Sequence, residues 1–505
     1  MSKLQKQELQ SVINQICNKL WAAGLTNPIT YIEQISYLFF LKMLEEWDNQ
    51  KSQETKLTGN RNGHKSIFSG KNEKFRWSQW THIPDNTRVF KFVRDEVFPF
   101  MANLPGTNEN VRRFFNDARF QIPDGVVLRD VVDKLREISF IELDADVKGD
   151  LYEYLLNQLT TSGKAGQFRT PRHIIRTIVQ LINPQIGETI LDPACGSGGF
   201  LLGAYEWIKT NNSDAKNITE YKNGNGQMVK KGPGDKLSPT QWQFLQSDAL
   251  IGFDVDTSMV KIATMNLILH GLDKSQVIRR DSIAGSPDDW EDREFDVIVS
   301  NPPFAGNINK ERIRKYLPVQ VADTTILFLG LMIEALRQGG RAGVIVNEGM
   351  LFNRNKAATE TRRYLMDKRN LVAVVSLPGG VFQPYAGVKT SVLFFNNDGK
   401  KTEKVWFYDV CFDGLELKTQ RRPMPGKNDL PDLIAKWKEK PDSDRSWTAT
   451  REQIEANDFI LSASAYRPIT EDKTFHRNPK DIFKEIKELN KQSQEQLKKI
   501  EEFIK

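Results

Sequence analysis

Leu191-Asp192-Pro193-Ala194-Cys195-Gly196-Ser197-Gly198-Gly199-Phe200 follows the apolar run Thr189-Ile190-Leu191 and opens a helical run from 200 to 208. Glycines in such a turn let the backbone bend sharply and approach a ligand closely, because no Cβ intervenes. A pyrophosphate would want the amides of the helix N-terminus to itself. Here a carboxylate, Asp192, precedes the glycines and suits a cationic ligand better. Strand, glycine turn and helix in this order make the first unit of an open α/β sheet.

Working outward, short apolar runs recur at 250–253, 295–300, 343–346 and 372–376, each followed by helical periodicity or a turn. That alternation predicts a parallel sheet covered on both faces. Residues 276–278 predict another strand, and 388–395 one more that closes the sheet antiparallel. The first 150 residues read as helical, with Leu9, Val12, Ile13, Ile16 and Leu20 at helical spacing and a break at Asn27-Pro28. Their many aromatics, among them Phe75, Trp77, Trp80, Phe90, Phe92, Phe98, Phe114 and Phe115, are expected to pack a small core rather than stack on bases. Residues 144–159 predict a connecting helix. The polar segment 211–240 reads as a surface insertion, and 479–505 as an amphipathic helix. The expected organisation is a helical domain over 1–150, an α/β domain over 151–470 and a helical tail over 471–505.

Two further stretches carry chemistry. In Ile251-Gly252-Phe253-Asp254, Asp254 ends the second strand, where a carboxylate accepts from both hydroxyls of a ribose. The gap from Asp192 is about three times the usual ~20 residues, and the 211–240 insertion accounts for much of it. Asp256 is expected at the start of the next helix, and Asp281 is a candidate acceptor for an adenine amino group. In Asp296-Val297-Ile298-Val299-Ser300-Asn301-Pro302-Pro303-Phe304, two prolines after an apolar strand forbid its continuation and fix a rigid loop at its carboxyl end. Ligands bind at that edge of an open α/β sheet.

The glycine loop and the Asn301-Pro302-Pro303-Phe304 loop, in that order, resemble those of N6-adenine DNA methyltransferases. Gly166-Gln167-Phe168-Arg169-Thr170-Pro171-Arg172 is similar to the segment that caps the methionine end of S-adenosyl-L-methionine (AdoMet) in modification subunits of type I restriction-modification systems. Many relatives carry an aromatic where Arg169 stands. The resemblance covers nearly the whole chain and implies a Rossmann-like AdoMet-dependent methyltransferase sheet with a helical N-terminal domain and a C-terminal helical tail. It implies AdoMet contacts from Gln167, Phe168, Arg169, Thr170, Pro171 and Arg172, from Asp192, Ala194, Gly196, Ser197, Gly198 and Gly199, and from Asp254 and Asp281. Catalysis falls to Asn301, Pro302, Pro303 and Phe304. An exocyclic amine on an aromatic base is a poor nucleophile, because the ring delocalises its lone pair. The Asn301 side-chain oxygen and the Pro302 carbonyl can accept from its two N–H bonds and stabilise the charge that develops on nitrogen. Phe304 can stack on a base swung out of the duplex.

Competing chemistries fit less well. Cytosine-C5 transfer needs a nucleophilic cysteine, but Cys195 lies in the glycine loop. Cytosine-N4 enzymes usually have serine in place of Asn301, and glutamine-N5 enzymes a loop ending in tyrosine. No P-loop or nuclease motif is recognisable. A non-catalytic DNA-binding or assembly module, or a stand-alone amino-methyltransferase with another substrate, are the remaining alternatives.

Composition adds bounds. At 505 residues the chain exceeds one compact core, and a net charge of +6 leans towards nucleic acid without deciding it. Three cysteines exclude a disulfide framework, no metal-ligand spacing is present, and a reducing cytoplasm is expected. The best candidate for a membrane span, 29–44, is broken by Glu33, Gln34 and Lys42. The residues after Phe395 are too few for a substantial DNA-reading domain. The resemblance implies that a separate specificity subunit reads double-stranded DNA, clamped by two copies of this chain, with a restriction or translocase subunit as a further partner. The tail helix is a candidate for docking on the specificity subunit.

Overall fold

The computed structural model describes residues 3–58, 65–104, 114–115, 118–140, 143, 145–156, 169–222, 228–272, 274–286, 288–304, 306–383, 387–468 and 479–504. It divides into a unit over Met1–Tyr466 and a second over Arg467–Lys505.

The N-terminal part is built from α1 (Lys3–Ala22), α2 (Pro28–Thr58), α3 (Gly125–Arg136) and α4 (Ala145–Leu156), with short turns of helix between. Helix α3 shows the local logic. Asp124 caps it by accepting from the amides of Val126 and Val127, and Leu128, Val131, Val132 and Leu135 form the buried stripe. The aromatics pack inward as expected, with Tyr37 edge-on to Phe98 and Phe114 at 5.2 and 5.1 Å, and Trp77 edge-on to Trp80. Phe75, Phe90 and Phe92 are half-buried. Helix α4 runs across residue 150 and buries Leu151, Tyr152, Leu155 and Leu156 in the same core.

The sheet has nine strands: β1 (Ile190–Asp192), β2 (Leu250–Asp254), β3 (Gln276–Arg279), β4 (Phe295–Ser300), β5 (Leu336–Asn347), β6 (Asn370–Leu377), β7 (Thr390–Asn396), β8 (Lys404–Asp409) and β9 (Ser446–Thr450). Their order across the sheet is β9-β8-β6-β7-β5-β4-β1-β2-β3. Strands β1 to β5 pair in parallel, with Ile190 opposite Leu250 on one side and Val297 on the other. This is the mainly parallel, Rossmann-like sheet expected above. Helices α5 (Arg172–Ile182) and α6 (Gly199–Asn211) cover one face and α8 (Thr324–Glu334) the other. Helix α7 (Thr257–Leu269) turns Met259, Ile262, Met265 and Leu269 into the N-terminal core, so that core and the sheet share one helix.

One expectation is corrected. Strand β7 is antiparallel to both neighbours, as anticipated, but it lies inside the sheet between β5 and β6, and β8 and β9 continue beyond. Its run of Thr390 to Phe395 is buried at every position, so neither face nor edge is left for solvent. The 211–240 insertion contains a hairpin, Thr219–Lys222 with Met228–Lys231, held down by buried Val229 and Leu237. The second unit contains α9 (Pro479–Ile504), whose Ile482, Phe483, Ile486, Leu489 and Leu497 are all exposed.

Candidate active site

The strand order reverses between β1 and β4: the chain runs outward through β2 and β3 on one side and through β5 on the other. A crevice opens at the carboxyl edge of such a switch point. The glycine loop leaves β1 there and the Asn301 loop leaves β4 beside it. The two meet directly, since the Ser300 hydroxyl donates to Asp192 Oδ1 at 2.7 Å.

The glycine loop is shaped by its backbone. Gly196 and Gly198 have φ of 52° and 78°, a region that side chains disfavour, and Gly198 caps α6. The loop is tied to β2 through the Cys195 amide and the Phe253 carbonyl at 2.8 Å. This closeness requires Gly252, where a Cβ would lie 2.8 Å from Leu201 and 3.0 Å from the Cys195 sulfur. Cys195 is therefore a packing residue, and burial pushes its thiol well above the ordinary range.

Of the two carboxylates expected to face a ligand, Asp192 lines the pocket beside the glycine loop and Asp254 does not. Asp192 is fully buried, and burial pushes it up to about 7, although the Ser300 hydroxyl and Ala194 amide pull the other way. Asp254 accepts from the Gly196 amide at 3.0 Å and the Asp256 amide at 2.9 Å, and burial raises it too. A carboxylate has about four acceptor sites, so Asp254 keeps capacity for further donors. Asp256 caps α7 at the amides of Ser258 and Met259, the place expected for it. Asp281 stands just beyond β3 and accepts from the amides of Ile283 and Ala284, shaping its own turn. It does not line the pocket beside the glycine loop.

That pocket is lined by Arg169, Thr170, Arg172, Asp192, Ala194, Gly196, Ser197, Gly199 and Asn301, among others. Gln167 and Phe168 lie outside the described residues. Pro171 caps α5. Arg169 and Arg172 both pair with Glu153 of α4, Arg172 through Nε at 2.6 Å. Burial alone would raise the Glu153 carboxyl, but the two guanidinium groups hold it down to about 2. The N-terminal core thus reaches the pocket wall through the half-buried Glu153 carboxylate. Asn266 of α7 reaches it as well, donating to the Ser197 carbonyl at 2.9 Å.

The Asn301 loop is held at both ends. Asn301 Nδ2 donates to the Thr170 hydroxyl at 2.9 Å, while its Oδ1 is buried and accepts no hydrogen bond among the described residues. A buried acceptor without a donor costs about 1–3 kcal/mol, so its presence at a pocket points to a donor on the ligand. At the other end, the Phe304 carbonyl accepts from Asn347 Nδ2 at 2.9 Å and the Thr325 hydroxyl at 3.2 Å. The Phe304 ring is half-buried, edge-on to Phe382. Sequence reasoning missed Glu153, Asn266, Ser300, Thr325 and Asn347. Only Ser300 had a local signal, since it immediately precedes the proline-locked loop.

Comparison with known proteins agrees. Residues 143–474 match the model of the N-6 DNA methylase family and residues 9–135 that of the HsdM N-terminal domain. The chain is 33% identical over 415 residues to the type I restriction enzyme EcoEI methylase subunit of Escherichia coli, covering 80% of this chain and 77% of the relative. It is 28% identical to the EcoKI methylase subunit of E. coli K12 over 80% and 71%. Among solved structures, a chain from work on complex assembly and conformational transition of the type I R-M system matches with a TM-score of 0.69 and 26% identity, over 99% of this chain and 98% of that one. A modification subunit of a putative type I restriction enzyme from Vibrio vulnificus YJ016 shares the fold, with a TM-score of 0.68 at 24% identity over 89% and 93%. Fold and site together define a Rossmann-like methyltransferase. The chain belongs to the N-6 DNA methylase family, within its type I modification subunits, and is an adenine-specific DNA methyltransferase.

Proposed function

We propose that this chain moves a methyl group from AdoMet to the N6 amine of a flipped adenine, using the crevice between the glycine turn and the Asn301 loop. The orphaned Asn301 Oδ1 carries this reading: it is a buried acceptor on a residue that lines the pocket, and no donor reaches it among the described residues. The residues suit AdoMet. Buried Asp192 and half-buried Asp254 have no ion pair among the described residues and suit a cationic ligand, and the Gly196–Gly199 backbone leaves room for close approach.

AdoMet, when bound, supplies an electrophilic methyl on a positively charged sulfur. Asn301 Oδ1 and the Pro302 carbonyl accept from the two N–H bonds of the adenine amine, which turns its lone pair towards the methyl. The same oxygens stabilise the positive charge that grows on nitrogen. Thr170 accepts from Asn301 Nδ2, which leaves the Asn301 oxygen free to accept from the base. Phe304 stacks on the extruded ring, and Asn347 and Thr325 fix its backbone. Gln167 to Arg172 would hold the methionine end of AdoMet, Asp254 its ribose and Asp281 its adenine amino group.

A separate specificity subunit supplies sequence recognition, with two copies of this chain clamping it on double-stranded DNA and a restriction or translocase subunit joining them. The exposed apolar face of α9 suits docking on that specificity subunit. Free Cys17, Cys195 and Cys411 suit the cytoplasm, and no described helix is long and apolar enough to cross a membrane. Asn301→Ala in the assembled complex should lower adenine methylation by about 10²–10³-fold while AdoMet binding persists. Equal methylation by mutant and wild type would show that the loop is not catalytic.

A further inference from the structure

A groove of about 590 Å³ opens on a face of α5 that adjoins the active-site pocket. Arg172 and Ile175 line the pocket, whereas His173, Arg176, Thr177 and Gln180, at helical spacing, floor the groove. One wall is the insertion hairpin, through Lys222 and Met228. The other is the hairpin Asp413–Leu415 with Pro423–Asn428, through Pro423, Met424 and Pro425. That second wall is pinned to the floor: His173 Nε2 and Asp413 Oδ2 lie 2.8 Å apart, both buried, and Arg421 pairs with the same carboxylate.

The lining of the groove is mainly apolar, with two cations, Arg176 and Lys222, among its residues, and the segments that build it are basic: 172–182, 219–231 and 413–428 hold nine lysines and arginines against three carboxylates. Several of these charges are already neutralised: Arg172 by Glu153, Lys230 by Glu220, Lys231 by Asp150 and Arg421 by Asp413. Arg176 and Lys222 line the groove, while Lys427 on the second hairpin and Lys418 and Arg422 in the turn between its strands flank it; none has an ion pair among the described residues, and all but Arg176 are exposed. Like charges gathered without counter-ions repel one another and favour a polyanion. Groove and pocket are lined by the same helix, whose diameter with side chains is about 10–12 Å. That is about three base-pair rises of ~3.4 Å.

We propose that this groove holds the phosphate backbone of duplex DNA about three nucleotides from the adenine being methylated. The inference rests on the reading of the adjoining pocket as the adenine site. That proximity decides for nucleic acid over an acidic polypeptide. Phosphate contacts position a duplex without reading its sequence, the role left to this chain if another subunit reads bases.

The test uses the full chain assembled with its specificity subunit, titrated with a target duplex and a scrambled duplex at several salt concentrations. Lys222→Gln, Arg422→Gln and Lys427→Gln are combined, with Arg176→Gln as a separate variant. Each phosphate contact contributes about −0.9 to the slope of log affinity against log salt. The triple variant should therefore flatten the slope by about 2–3, shrinking the affinity change between 50 and 200 mM salt by about 40-fold. Both duplexes should weaken alike, with AdoMet binding and kcat at saturating DNA unchanged. An unchanged slope would overturn the proposal, as would loss of subunit assembly with DNA contacts intact, which would point to an acidic polypeptide. Full methylation by Asn301→Ala would instead overturn the active-site reading, independently of the slope.

Discussion

Replacing Asp192 by asparagine is expected to stabilise the ligand-free protein while weakening its hold on AdoMet. The two side chains are nearly isosteric, and Asp192→Asn keeps an oxygen to accept from Ser300 and Ala194. What it removes is a buried charge. Asp192 titrates near 7 in the folded protein against an ordinary value of 3.8. An acid whose folded pKa is raised costs stability as pH climbs from the unfolded value to the folded one, and no further above it. At 1.36 kcal/mol per unit, the cost is about 1–2 kcal/mol at pH 5 and about 4 kcal/mol at pH 8. The advantage of Asp192→Asn should therefore grow by about 2–3 kcal/mol between pH 5 and pH 8, and denaturation midpoints of both proteins without ligand measure it. Other titrating groups are common to both and cancel in the difference. Calorimetric titration should show wild-type affinity for AdoMet rising from pH 6 to pH 8, and the variant binding weakly and without that rise. An advantage equal at both pH values, or undiminished AdoMet affinity, would refute the claim that Asp192 is a strained charge awaiting a cation.

Thr170→Val keeps shape but removes the acceptor that orients Asn301, so kcat should fall about tenfold, the worth of one well-placed hydrogen bond, with little change in KM for DNA. Thr170→Ser should restore it; a valine variant as fast as wild type would remove Thr170 from the mechanism. Deleting residues 479–505 should abolish co-purification with the specificity subunit while AdoMet binding survives, and retained assembly would end the docking role of α9.

The legible parts of the sequence were those in which chemistry and backbone geometry coincide within a few residues. Glycines at 196 and 198 meet a demand for positive φ, the prolines after Asn301 stop a strand, and Asp254 ends the next apolar run; each states its place without help from distant residues. Strand β7 misled for a related reason. Its wholly apolar run marks burial on both faces, but a run alone does not say which strands are its neighbours. The later strands β8 and β9 were passed over.

The order of β1, β2 and β4 at the switch point, and the two turns that it brings side by side, follow from a parallel α/β pattern that any single sequence can display. What tertiary structure alone decided is which distant groups finish the site. Glu153 joins Arg169 and Arg172 across a helix boundary, Asn347 reaches Phe304 from another strand, and Thr170 accepts from the Asn301 side-chain amide N–H so that the amide oxygen is left without a donor among the described residues. These partners lie far apart along the chain, and hydrogen bonds and ion pairs act over a few ångströms whatever the sequence separation. Only folding brings them within range, and no local pattern records it.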